Sequence, residues 1–119
     1  MEKVIVIFRK GPYGQINSLE GARVAQGLLV LDVDTDAVFI DDGVFNLIDK
    51  QNPKGIGHHS VMGALEALHR YDVPLYAIDT SLEQRGIKPE DFDPKLEVKI
   101  IALEEFSDLL IEADATIAL

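Results

Sequence analysis

The chain is 119 residues long, 47% apolar, free of cysteine, and carries a formal charge of −10 at pH 7. That length and apolar content suit one domain, residues 1–119, with a hydrophobic core of its own. Without a thiol there is no disulfide, no thiolate zinc site and no cysteine nucleophile or persulfide carrier, and the acidic balance argues against direct binding to DNA or RNA.

Val4-Ile5-Val6-Ile7-Phe8 is a continuous β-branched run, the pattern of a strand buried on both faces. The chain enters it directly from Glu2-Lys3. It shows no secretory signal and no apolar run as long as a membrane span, so a cytoplasmic location is expected. Arg9 to Gly14 reads as a loop, marked by Gly11, Pro12 and Gly14. Ser18 is placed to cap a helix over about 18–31, whose stripe is Leu19, Ala22, Ala25, Leu28 and Leu29. Residues 32–36 read as a polar connector and 37–40 as the second strand, ended by Asp41-Asp42-Gly43. Val44 to Ile48 reads as a helical turn. Residues 50–59, with Pro53, Gly55 and Gly57, read as a loop. Ser60 then caps a helix in which Val61, Ala64, Leu65 and Leu68 recur at helical spacing.

Pro74 leads into a third strand, 75–78, which stops at Asp79. Ser81 with Gln84 three residues on reads as a capping box opening a short helix, and Gly86 as its left-handed stop. Lys88 to Phe92 reads as a further turn and 98–101 as the fourth strand. Glu104-Glu105 open a helix with Phe106, Leu109 and Leu110 on its apolar side, and 115–119 form the fifth strand. This alternation predicts an α/β fold: a five-stranded parallel sheet in a three-layer α/β/α sandwich. Strand order does not follow from periodicity. So apolar a last strand calls for cover, for which a neighbouring subunit is one source.

The carboxyl ends of the strands are where an open α/β sheet holds ligands. Arg9-Lys10 follow the first strand and Arg85 lies just past the third. They suit a contact with an anion or with a carboxylate on another subunit. The plainer reading is surface pairing with nearby acids. Gly55-Ile56-Gly57-His58-His59-Ser60 opens a helix but lacks the third glycine and the preceding strand of a dinucleotide fingerprint. His58, His59 and His69 with Asp41 and Asp42 have no metal-ligand spacing, so neither metal nor cofactor is expected. No Gly-x-Ser-x-Gly elbow is present. Asp79 at a strand end invites comparison with a phospho-accepting receiver. That reading needs acids after the first strand, where Arg9-Lys10 stand.

Taken together, these stretches resemble the DsrE/DsrF/DsrH group of small sulfur-relay proteins, which includes TusB, TusC and TusD, and among them the DsrF/TusC type. The resemblance rests on the opening strand with its Gly-Pro-Tyr-Gly loop and on Ile40-Asp41-Asp42-Gly43-Val44-Phe45. It is strongest at Ser81-Leu82-Glu83-Gln84-Arg85-Gly86-Ile87, similar to the family's Ser-Leu-x-x-Arg-Gly-hydrophobic segment. It implies the five-stranded parallel sheet and subunits packed into trimers or hexamers. It also implies work in cytoplasmic sulfur transfer, of the sulfur-relay or tRNA-thiolation type. Relatives of the DsrE and TusD type carry a persulfide on a cysteine after the third strand. Counting back from Gly86, the matching position here is Ile78. Isoleucine cannot hold a persulfide.

The expectation is therefore a non-catalytic subunit that acts through assembly with DsrE-like partners. Ile78, Asp79, Thr80, Ser81 and Arg85, with Arg9, mark the cleft or interface. The alternative is a small-anion or nucleotide-binding protein or enzyme using the strand-end cleft around Arg9, Asp79 and Arg85.

Overall fold

The computed structural model describes residues 2–11, 17–48 and 58–119, with the backbone but not the side chains of 17–19 and 58–61. The Pro12-Tyr13-Gly14 turn, most of the 50–59 loop, and the capping roles of Ser18 and Ser60 lie outside what is described.

The elements run β1 (Lys3–Phe8), α1 (Asn17–Val30), β2 (Asp34–Phe39), a 3₁₀ helix (Asp41–Leu47), α2 (His58–Arg70), β3 (Leu75–Ile78) and α3 (Asp79–Gln84). Two short 3₁₀ turns (Pro89–Asp91 and Pro94–Leu96), β4 (Lys99–Ile101), α4 (Leu103–Glu112) and β5 (Ala115–Ala118) complete it. The five strands form one parallel sheet in the order β4-β3-β2-β1-β5. The α/β sandwich expected from the alternation is the fold observed. The strand order explains how the layers form. Three successive crossovers step in one direction, so right-handedness places α1, α2 and α3 on one face. The return from β4 across the sheet to β5 puts α4 on the other.

Each face has its own core. Val6, Phe8, Ala37, Phe39 and Ala77 pack under Ala25 of α1, Leu65 and Leu68 of α2 and Leu82 of α3. Ile5, Ile7, Val38, Ile78 and Ile101 pack under Phe106 of α4. Continuous apolar runs such as 4–8 serve both faces at once, as the two-sided burial of a parallel sheet requires.

Two expectations are corrected. β2 begins at Asp34, inside the stretch read as a polar connector. The strand tolerates its acids because Lys3 lies opposite Asp34 and its Nζ is 3.3 Å from Asp34 Oδ2 and 3.1 Å from Asp36 Oδ1. Ile40, expected to end that strand, instead precedes the 3₁₀ helix. The second correction is at α3, which starts at Asp79 with no side-chain cap, so the Ser81–Gln84 capping box does not form. The Gly86 stop holds: its φ is +65°.

Candidate functional site

β1, β2 and β3 end level with one another. Phe8 pairs with Phe39 and Phe39 with Ala77, so Arg9, Ile40 and Ile78 follow at the same height. The Asp41–Leu47 helix lies over these ends. Gly43 allows this, because a Cβ there would overlap the carbonyl of Phe8. Asp41 adopts a left-handed φ of 53°, a conformation that Asp tolerates better than most residues.

A set of polar contacts ties this helix to the β3–α3 junction. Ser81, buried, accepts a hydrogen bond on Oγ from Asp41 N at 2.9 Å. The hydroxyl expected to cap α3 is thus used between segments. Arg85 Nε donates to Asp42 Oδ1 at 3.0 Å, and its guanidinium also reaches Ser81 O at 3.3 Å and Gln84 Oε1 at 3.4 Å. Asp79 Oδ1 accepts from Thr80 N at 2.6 Å, and Thr80 is exposed.

Ile78 is fully buried against Ile5, Ile7, Val38, Ile101 and Phe106. Its side chain is core hydrocarbon beneath α4. Arg9 stands apart from this cluster. β2 separates its strand from β3, its backbone N donates to Leu119 O at 3.3 Å, and its exposed side chain makes no ion pair with a described residue. The structure thus joins Ser81 and Arg85 to Asp41 and Asp42, buries Ile78 on the opposite, α4 face of the sheet, and sets Arg9 at the β1–β5 side. The pairing of Arg85 with Asp42 is the ordinary surface contact weighed for that cation.

Asn46 is a contributor that the sequence reading missed. It is fully buried and donates from Nδ2 to Lys10 O at 2.9 Å and Gly43 O at 2.8 Å, pinning the segment after β1 to the 3₁₀ helix. An amide inside the apolar block 44–48 was the available signal.

Two clefts lie away from this cluster. One of about 400 Å³ borders Pro89, Phe92, Pro94 and Ile100. Another lies between the ends of α1 and α2, at Leu29, Val30 and Tyr71. Neither is lined by Arg9 or by residues 78–85. Among the described residues no cluster of His, Asp and Glu has the makings of a metal site. His69 instead pairs with Glu97 at 3.2 Å. No helix among them is long and apolar enough to cross a membrane.

The DsrE/DsrF-like family model matches residues 2–119. The intracellular sulfur oxidation protein DsrF of Allochromatium vinosum is 32% identical, over 97% of this chain and 94% of its own length. A TusC homolog from Pseudomonas aeruginosa is 28% identical, over 99% of this chain and 98% of its own. Among solved structures, the ychN protein of E. coli superposes with a TM-score of 0.81, covering all of both chains at 23% identity. At that identity the likeness speaks for the fold alone.

Proposed function

Because the chain belongs to the DsrE/DsrF-like family, we propose that it is a non-catalytic subunit of a cytoplasmic sulfur-relay assembly. In this reading residues 1–119 form one family domain that shapes or covers the sulfur site of a cysteine-bearing partner. The observation that carries the reading is Ile78. The chain holds no cysteine at all, and the side chain at the matching position is fully buried. Persulfide transfer needs a thiolate that an acceptor can reach, so sulfur would have to reside on another subunit.

The polar contacts at the β3–α3 junction fit a supporting role. Arg85 is already neutralised by Asp42 and Ser81 already accepts from Asp41. Such groups hold a surface in shape more readily than they capture a free anion. The exposed parts of that surface, Thr80 and the outer edge of Asp79, lie where a partner would meet α3.

The test is co-expression with a family member that has cysteine at the position of Ile78, followed by affinity capture and mass measurement. A stable hetero-complex, weakened when Thr80 and Asp79 are changed to bulky residues, is the expected result. A chain that captures no such partner and leaves its persulfide transfer unaltered would overturn the reading.

A further inference from the structure

Ile101 of β4 packs under α4, so the alternation of a strand sends Val98 and Ile100 to the other face of the sheet. There they wall the cleft of about 400 Å³, whose remaining apolar surface comes from Pro89, Phe92 and Pro94. The backbone around it is held in place. Phe92 bridges to Ile48, Asp93 N donates to Leu47 O at 2.9 Å, and Leu96 N donates to Asp93 O at 3.1 Å. Both short turns carry a proline in their first positions, which fixes φ there. Preformed walls and a volume of this order are usual for a small-molecule site.

The ionisable groups that line this cleft are all acids: Glu90, Asp93 and Glu97. Lys88 and Lys95 belong to the same connection but do not line it. Asp93 carries most weight. It is only 5% exposed, and its Oδ1 accepts from Lys95 N at 3.0 Å. Its Oδ2 takes no hydrogen bond, and its carboxylate no ion pair, from a described residue. A carboxylate buried to this degree calls for a positive partner. Glu97 reaches His69 at 3.2 Å but stays largely exposed, and Glu90 is exposed.

We propose that the cleft binds an aliphatic polyamine, whose ammonium groups are separated by short runs of methylenes. Charge complementarity selects this occupant. Carboxylates at separate points of a hydrocarbon surface match separate ammonium groups joined by hydrocarbon, and Asp93 holds the innermost one. A lysine side chain brings one charge and leaves the other acids unmatched. A bare metal ion leaves the apolar walls uncovered, and the described residues form no cluster that would ligate it. The net charge of −10 draws polycations toward the protein in general, while the cleft gives one of them a place. The site lies beside β4 and uses none of residues 78–85, so it is independent of the sulfur-relay reading.

Titration calorimetry with spermidine at fixed ionic strength tests this. One saturable site is expected. Hexaamminecobalt(III), of equal charge but without methylenes, should bind at least about tenfold more weakly, because it buries no hydrocarbon. Asp93→Asn keeps an acceptor for Lys95 N and removes the charge, so it should weaken spermidine roughly tenfold or more with the urea midpoint little changed. Ile100→Lys, at a position 41% exposed, places an ammonium in the cleft and should abolish binding while circular dichroism stays that of the parent. Glu112→Gln removes the same single charge from an exposed position on α4 and should leave the affinity unaltered. Spermidine that binds no tighter than hexaamminecobalt(III), or that loses as much affinity to Glu112→Gln as to Asp93→Asn, is a diffuse counterion and would overturn the proposal. So would a cleft that takes a lysine-rich peptide and no spermidine at millimolar concentration. Neither result would touch capture of a cysteine-bearing partner, on which the sulfur-relay reading stands or falls.

Discussion

The two faces of the sheet are built unequally. Under α1, α2 and α3 the described residues include a continuous buried cluster from Val6 to Leu96 that takes in Phe8, Phe39, Leu65 and Leu68. Under α4 the fully assembled cluster is much smaller, and a single ten-residue helix covers it. The outer side of that helix also exposes Ile111, and its first residue, Leu103, is half exposed. The thick face supplies the bulk of the apolar burial that stabilises the fold. The thin face holds Ile78, which therefore sits under the lighter of the two covers.

The largest expected effect tests that inequality directly. Phe39 is fully buried and stacks on Phe8, ring centroids 4.5 Å apart. Phe39→Ala should cost about 3–5 kcal/mol in urea unfolding, because the surrounding helices cannot collapse into the space. Phe106→Ala on the thin face should cost less, because α4 can settle toward the sheet. Equal losses would break the comparison.

Ile78→Cys sharpens it. Removing part of a buried branched side chain should cost about 1–2 kcal/mol. The new thiol would lie beneath Phe106, and burial disfavours its thiolate. Labelling with a disulfide reagent should be slow, and deleting cover with Phe106→Ala should speed it far more than it destabilises the protein globally. Rapid labelling of Ile78→Cys alone would show that α4 does not shield this position.

A third effect is smaller and lies at the border of the two faces. Ser81→Ala leaves the Asp41 N–H without its acceptor, at a cost of about 1–2 kcal/mol. Ser81→Thr keeps the hydroxyl and should recover part of it. If Ser81→Ala is neutral, water replaces the hydroxyl and the bridge between the 3₁₀ helix and α3 is not a structural tie.

These contacts also show why some features could be read from the sequence and others not. The runs 4–8 and 75–78 announce strands because two-sided burial leaves no room for polar residues. The start of β2 is hidden because Asp34 and Asp36 are acceptable in a strand only opposite Lys3, a partner thirty residues away in the chain. The Ser81–Gln84 pattern is a sound local signal for a cap, but a tertiary donor, Asp41 N, takes the hydroxyl. The burial of Ile78 depends on α4, which returns across the sheet in a strand order that periodicity does not encode.

The smallest expected effect comes from the amino-terminal end of the thin face, where Asp36 meets Lys3. Burial raises the Asp36 carboxyl above its ordinary value of 3.8, and Lys3 only partly offsets it. The folded state thus holds this proton more tightly than the unfolded chain does. Its stabilising contribution is complete below 3.8 and is lost as pH rises through the higher folded value. Asp36→Asn should therefore gain stability relative to the parent across that acid window and hold the gain above it. Lys3 keeps a partner in Asp34 at 3.3 Å, so the amide does not strand the ammonium. Urea unfolding of both proteins at several pH values gives the sign. A parent that instead gains on Asp36→Asn as pH rises would mean that the Lys3 pair outweighs burial, and that the thin face is held at this end by charge rather than in spite of it.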